Sequence, residues 1–163
     1  MVTAVETSPA VFLSALARQD GVARATVEVE SGASSVPLAR RFARNCLADW
    51  GFARKGDLAE RVVLTVSELV TNAIQHARTR PAGETEVVVL SCCYSPGIAL
   101  GVSVTDNSST SPEIRPSSCE TRGRGLVLVS AEADCWTTTR RGTGGKEVWA
   151  FFCSPAAELC ASA

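Results

Sequence analysis

Hydrophobic and polar positions along this chain change period several times, and each change marks an element. Residues 25–30 read Ala, Thr, Val, Glu, Val, Glu, a period-two alternation that predicts a strand with one wet face. Small residues at 31–35 form a turn. Ser35 is placed to cap a helix whose first turn holds Pro37, a position where proline is tolerated. Val36, Leu38, Phe42, Cys46 and Leu47 give that helix an apolar face as far as Asp49, and Gly51 stops it. Asp57 is expected to cap a longer helix running to about Ala77, ahead of Pro81. Residues 87–93 and 98–105 read as two strands joined at Pro96 and Gly97 into a hairpin. A loop rich in serine and proline, 106–122, leads through Gly123, Arg124 and Gly125 into a short apolar helix at 126–133. Strands near 135–140 and 146–153 close the pattern around a turn holding Gly142, Gly144 and Gly145.

Strand, helix, helix, hairpin, loop, helix, hairpin: this order predicts an α+β two-layer sandwich. Residues 1–20 are expected to be a loose leader with one short helix near 10–17, residues 21–153 a single domain, and residues 154–163 a flexible tail.

Composition narrows the function classes. A length of 163 residues fits one domain. The net charge of -1 supplies no basic footprint, so nucleic acid is not an expected partner. No apolar run approaches the roughly 20 residues of a membrane span. Residues 1–10 carry Glu6 and no basic residue ahead of their short apolar stretch, unlike a signal peptide. A cytoplasmic location, with no membrane partner, is therefore expected. The seven cysteines are odd in number and include no CxxC pair, and there is one histidine. A disulfide framework and a zinc site are both disfavoured. The cysteines read as small core residues, with redox sensing by Cys119, in the polar loop, as the alternative. Cys92 and Cys93 are adjacent and should point to opposite faces of their strand.

The candidate chemistry lies on the long helix. At about 100° per residue, Val62, Val63, Val66, Leu69, Val70, Ala73, Ile74 and Ala77 make one buried stripe. Thr65, Glu68, Thr71, Asn72, Gln75 and, at the margin, His76 make the other face. Glu68 and Asn72 are four apart and so are surface neighbours. Asn is a modest helix former with no propensity reason to sit mid-helix. A carboxylate beside an amide oxygen suits magnesium, which takes oxygen ligands and draws the rest from phosphates and waters.

The run Ser67, Glu68, Leu69, Val70, Thr71, Asn72, Ala73, Ile74, Gln75, His76, Ala77 resembles the N-box of the GHKL ATPases, a family that includes gyrase, a heat-shock chaperone, histidine kinases and a mismatch-repair ATPase. It is most similar to the small stand-alone members, the anti-sigma-factor serine kinases and their actinobacterial relatives. The resemblance spans about residues 25–153. It implies a Bergerat fold, with a mixed, mostly antiparallel sheet covered on one face by helices, and it implies ATP and magnesium as cofactors. Asn72 would bind the magnesium and Glu68 would be the general base. His76 matches a position near the nucleotide phosphates; for that residue, packing or pairing with the helix C-terminus stays open.

Later motifs follow in the family's order. Val102, Ser103, Val104, Thr105, Asp106 and Asn107 resemble the strand ending in the aspartate that accepts a hydrogen bond from the adenine amino group, so Asp106 would be that acceptor. Asp-Asn-Ser is equally a good turn sequence. Gly123, Arg124, Gly125 and Leu126 resemble the glycine-rich lid. There glycines let backbone approach phosphate oxygens and the following helix offers free N–H groups, while Arg122 and Arg124 could add charge-assisted contacts. Two positions depart from the family pattern. Asn107, Ser108 and Ser109 stand where glycines are usual, and Glu147 stands where many members have a threonine beside the adenine-binding aspartate.

The resemblance implies a protein serine or threonine kinase that switches between a sigma factor and its antagonist protein, as a homodimer. The alternative, favoured by the two departures, is a non-catalytic interaction module with a weakened or lost nucleotide site. A sensor histidine kinase ATPase fragment is less consistent, because His76 is the only histidine.

Overall fold

The computed structural model describes residues 8–17, 20–76, 85–108 and 125–153. In chain order these form α1 (Pro9–Ala17), β1 (Ala23–Glu30), α2 (Ser35–Asp49), α3 (Asp57–His76), β2 (Val87–Ser95), β3 (Ala99–Asp106), α4 (Gly125–Glu132), β4 (Cys135–Arg140) and β5 (Lys146–Cys153). The strands make one sheet in the order β1-β2-β3-β5-β4. Every pairing among the described strands is antiparallel, in keeping with the mostly antiparallel sheet expected. β4 runs parallel to β3, with β5 antiparallel between them.

Alternation along the strands sorts side chains between two faces. Val29, Val88, Leu90, Cys92, Leu100, Val102, Val104, Val148, Ala150 and Phe152 point toward α2 and α3 and build the main core with Val62, Val66 and Val70. The α+β sandwich expected from the element order is therefore the observed architecture. Deleting one of these buried branched side chains, such as Val66 or Leu100, would cost about 1–5 kcal/mol depending on how far the cavity collapses.

The opposite face is not bare. Phe12 and Leu16 of α1 are buried on it, with Phe151 stacked between Phe12 at 5.3 Å and Trp149 at 5.7 Å. Leu16 reaches this face because Gly101 has no side chain: a Cβ there would lie 2.5 Å from the leucine Cδ1. The short helix expected near residues 10–17 is thus present as α1, docked on the sheet by two apolar side chains that its short sequence gave little reason to pair with β3 and β5.

Local chemistry at the helix starts also differs in detail. Ser35 was expected to cap α2, but Ser34 occupies the N-cap and makes no side-chain cap bond. The Ser35 hydroxyl instead accepts from the Gly32 N–H at 2.9 Å and donates to the Glu30 carbonyl, tying the turn to the end of β1.

The cysteines divide as the strand parity requires. Cys92 lies in the main core and Cys93 in the cluster under α1. Cys46 and Cys92 share a side-chain hydrogen bond; this partner and burial hold the Cys92 thiol well above its usual value. Cys153 is exposed, so the small-core reading fails for it. Cys119 and Cys160 lie outside the described residues. Burial, then the charge of Asp134, pushes the Cys135 thiol up from 9.0 to about 11. A raised folded value means the protonated fold is favoured below pH 9 and the advantage is lost as pH rises to about 11. Denaturant midpoints measured from pH 8 to 11 should therefore fall for wild type and fall less for Cys135→Ala. Equal slopes would show that this thiol titrates alike in the folded and unfolded states.

Candidate functional site

Two elements converge where the long helix meets the short apolar one. α3 carries Glu68 and Asn72 one turn apart, both half-buried. α4 starts against them: a Cβ built on Gly125 would lie 3.0 Å from the Asn72 Nδ2, the Asn72 Oδ1 and the Glu68 Oε2. Only a residue without a side chain lets the α4 backbone sit this close to both groups. The first N–H groups of a helix have no intrahelical partner and carry positive partial charge. The junction therefore gathers a carboxylate, an amide and helix N–H donors.

The far end of α4 fixes this approach. Arg61 donates from Nε and Nη2 to the Glu132 carbonyl at 2.9 and 2.6 Å and pairs with Asp134 at 3.4 Å. Its guanidinium also lies 5.6 Å from the Phe152 ring centre. Arg61 precedes Glu68 by seven residues, about 10.5 Å of helix, close to the about 12 Å length of α4. Holding the α4 C-terminus at Arg61 thus delivers its N-terminus to Glu68. Nothing in the helix pattern singled out Arg61; the usable signal was a basic residue on the same face as Glu68, two turns earlier.

Because α4 packs here, part of the stripe expected to be polar is covered. Thr65 is fully buried, and its hydroxyl has no hydrogen-bond partner among the described residues. Ser67 is also buried, donating to the Val63 carbonyl at 2.8 Å and accepting from Arg40 at 2.6 Å. Leu126 is buried and anchors the start of α4. His76 is exposed in the last turn of α3, one turn beyond Asn72. Gly123 and Arg124 lie outside the described residues.

Asp106 ends β3 on the helix-facing side, buried, and paired in register with Lys146 of β5. The Lys146 Nζ donates to Oδ1 at 3.1 Å and pairs with Oδ2 at 3.1 Å, and the Ser108 N–H donates to Oδ1 at 2.7 Å. Glu147, expected beside Asp106, is not there. Strand parity turns it to the α1 side of the sheet, where it accepts from the Ser103 hydroxyl at 2.8 Å. The residue that faces Asp106 is two before Val148, not one. Counting alternation back from the buried Val148 and Ala150 would have found it. Gly145 seals the same corner: its φ is +86°, and a Cβ would lie 2.2 Å from the Asp106 carbonyl oxygen.

These features lie within a known sequence pattern. The pattern of the histidine kinase-like ATPase domain covers residues 29–152, from the end of β1 to the end of β5. The chain belongs to this family. No curated protein matches it. Membership makes this a GHKL-type, ATP-binding domain, and the matched stretch includes α3, β3 and α4. None of the described helices is long and apolar enough to cross a membrane.

An ATP–magnesium complex can be tested against the residues of this ATPase domain. At the α3–α4 junction the fit is good: the space that a Cβ on Gly125 would fill lies against an amide oxygen and a carboxylate, the hard donors magnesium accepts. At Asp106 the fit is poor, because an ammonium already occupies the carboxylate.

Proposed function

We propose that this ATPase domain acts as a regulatory protein serine or threonine kinase of the anti-sigma-factor type. In this reading it works in the cytoplasm as a homodimer and exchanges between a sigma factor and that factor's antagonist protein. The convergence of Glu68 and Asn72 on Gly125 at the start of α4 is the observation that carries it. Magnesium-bound ATP supplies the phosphoryl group and the charge that steadies it in transfer. Asn72 offers the metal a neutral amide oxygen. Glu68, one turn earlier, takes the proton of the incoming hydroxyl. The α4 N–H groups of Gly125 and Leu126 stabilise phosphate oxygens. His76, Gly123 and Arg124 are assigned to the same phosphate end by the motif order, and Asp106 to the base end.

Titration calorimetry with Mg-ATP and a phosphotransfer assay on antagonist proteins test the two roles separately. Asn72→Ala should weaken Mg-ATP binding by about tenfold or more. Glu68→Gln should bind Mg-ATP with little change yet slow phosphoryl transfer by about 10²–10⁴-fold. Wild-type transfer by Glu68→Gln would remove the base assignment, and unchanged affinity in Asn72→Ala would remove the metal ligand. A second reading, a protein-interaction module that no longer turns over nucleotide, is favoured by one feature, the Lys146 ammonium on Asp106.

A further inference from the structure

The ion pair of Asp106 and Lys146 lies at the base end of the fold, and both side chains are almost wholly buried, at 3% and 7% exposure. A carboxylate offers about four lone-pair positions. Here the ammonium bridges both oxygens and the Ser108 N–H takes a further position on Oδ1. The bridging place in front of the two oxygens is where a neutral N–H donor from a ligand would bind. Lys146 is held there by the fold itself. It faces Asp106 across the β3–β5 register, and Gly145 presses the preceding backbone against the Asp106 carbonyl.

Energetics favour the occupant already present. A charge-assisted bond from an ammonium is stronger than one from a neutral amino group. Displacing the ammonium would also leave a buried positive charge without its partner, which costs more than the new bond returns.

We propose that Lys146 is an internal ligand of Asp106 and sets base specificity: the site takes magnesium-bound nucleoside triphosphates through their phosphate end and does not select adenine. The inference rests on the nucleotide-binding reading above and deepens it. An aspartate that in a resembling site would read the adenine amino group is here satisfied by the protein's own side chain. Removing the lysine should create the selectivity that wild type lacks.

The test is calorimetry on the whole chain with Mg-ATP, Mg-GTP and Mg-tripolyphosphate, for wild type, Lys146→Thr and Lys146→Ala. Wild type should bind ATP and GTP within about threefold of each other. Either variant should bind ATP about tenfold or more tightly than wild type, with GTP and tripolyphosphate changed by less than about threefold. A wild type that prefers ATP to GTP by about tenfold or more overturns the proposal. So does a folded variant with no gain for ATP. Circular dichroism melts establish folding, and if both variants unfold, the wild-type ATP-to-GTP ratio decides alone. Failure of every protein to bind all three ligands, tripolyphosphate included, overturns the nucleotide-binding reading itself and this inference with it.

Discussion

Gly125→Val is expected to abolish useful nucleotide binding, with Mg-ATP affinity and any phosphoryl transfer falling by about a hundredfold, the cost of misplacing reacting groups by about 1 Å. A Cβ at this position already meets Glu68 and Asn72 at 3.0 Å, closer than carbon normally approaches oxygen or nitrogen. The two γ-methyl groups of valine enlarge the wedge. The α3 backbone is fixed by the buried Thr65, Val66, Leu69 and Val70, so relief comes only from turning the Glu68 and Asn72 side chains away from the positions in which they face α4. The other end of α4 is tied by Arg61, so the wedge tilts the α4 N-terminus away from the carboxylate and amide. Gly125→Ala should fall between, at about tenfold. Stability should change little in Gly125→Ala, whereas the tilt in Gly125→Val also lifts the buried Leu126 and lowers it. Calorimetry and thermal melts on the same samples separate the two effects. Wild-type affinity in Gly125→Val would mean that phosphates do not bind at the α4 N-terminus.

Gly145→Ala is expected to cause the largest loss of stability among single methyl additions at the described glycines. Two costs combine. The residue adopts φ +86°, a region where an L side chain costs about 1–2 kcal/mol. The added Cβ would lie 2.2 Å from the Asp106 carbonyl oxygen and 3.0 Å from the Asn107 Cα. Those atoms are backbone at the end of a paired strand, so they yield only by breaking register. A total of about 3 kcal/mol or more follows, or a melting temperature lower by roughly 10 °C for a domain of this size. Gly144→Ala is the matched control. Its φ is +92°, yet a Cβ there meets nothing within 4 Å, so only the conformational cost of about 1–2 kcal/mol applies. Equal losses at the two positions would show that crowding at Asp106 contributes nothing.

How much of this was legible beforehand depended on whether a signal was local. The strands β4 and β5, the long α3 and the core stripe of Val62, Val66 and Val70 follow from periodicity, which needs only neighbouring residues. Glu68 and Asn72 were legible for the same reason: four residues apart on one helix, they cannot avoid each other. Their meeting with Gly125 was legible only through motif order, since the contact spans more than fifty residues of chain. Three features depended on distant partners and were missed. Arg61 acts through a carbonyl on another helix. Thr65 is buried by a helix that packs across the expected wet face. Lys146, rather than Glu147, faces Asp106 because strand parity, not motif alignment, decides which side chain points at the site.

The seating of α1 bears on where this domain can be cut. A boundary drawn at residue 21, where the strand alternation begins, would remove Phe12 and Leu16. The ring column of Phe151 and Trp149 and the notch at Gly101 would then face water. An uncovered aromatic sheet face is the kind of surface through which sheets stack on one another. The first helix is thus a lid over an otherwise adhesive surface, and a shortened protein would trade a monodisperse sample for self-association while keeping every residue of the proposed ATP site.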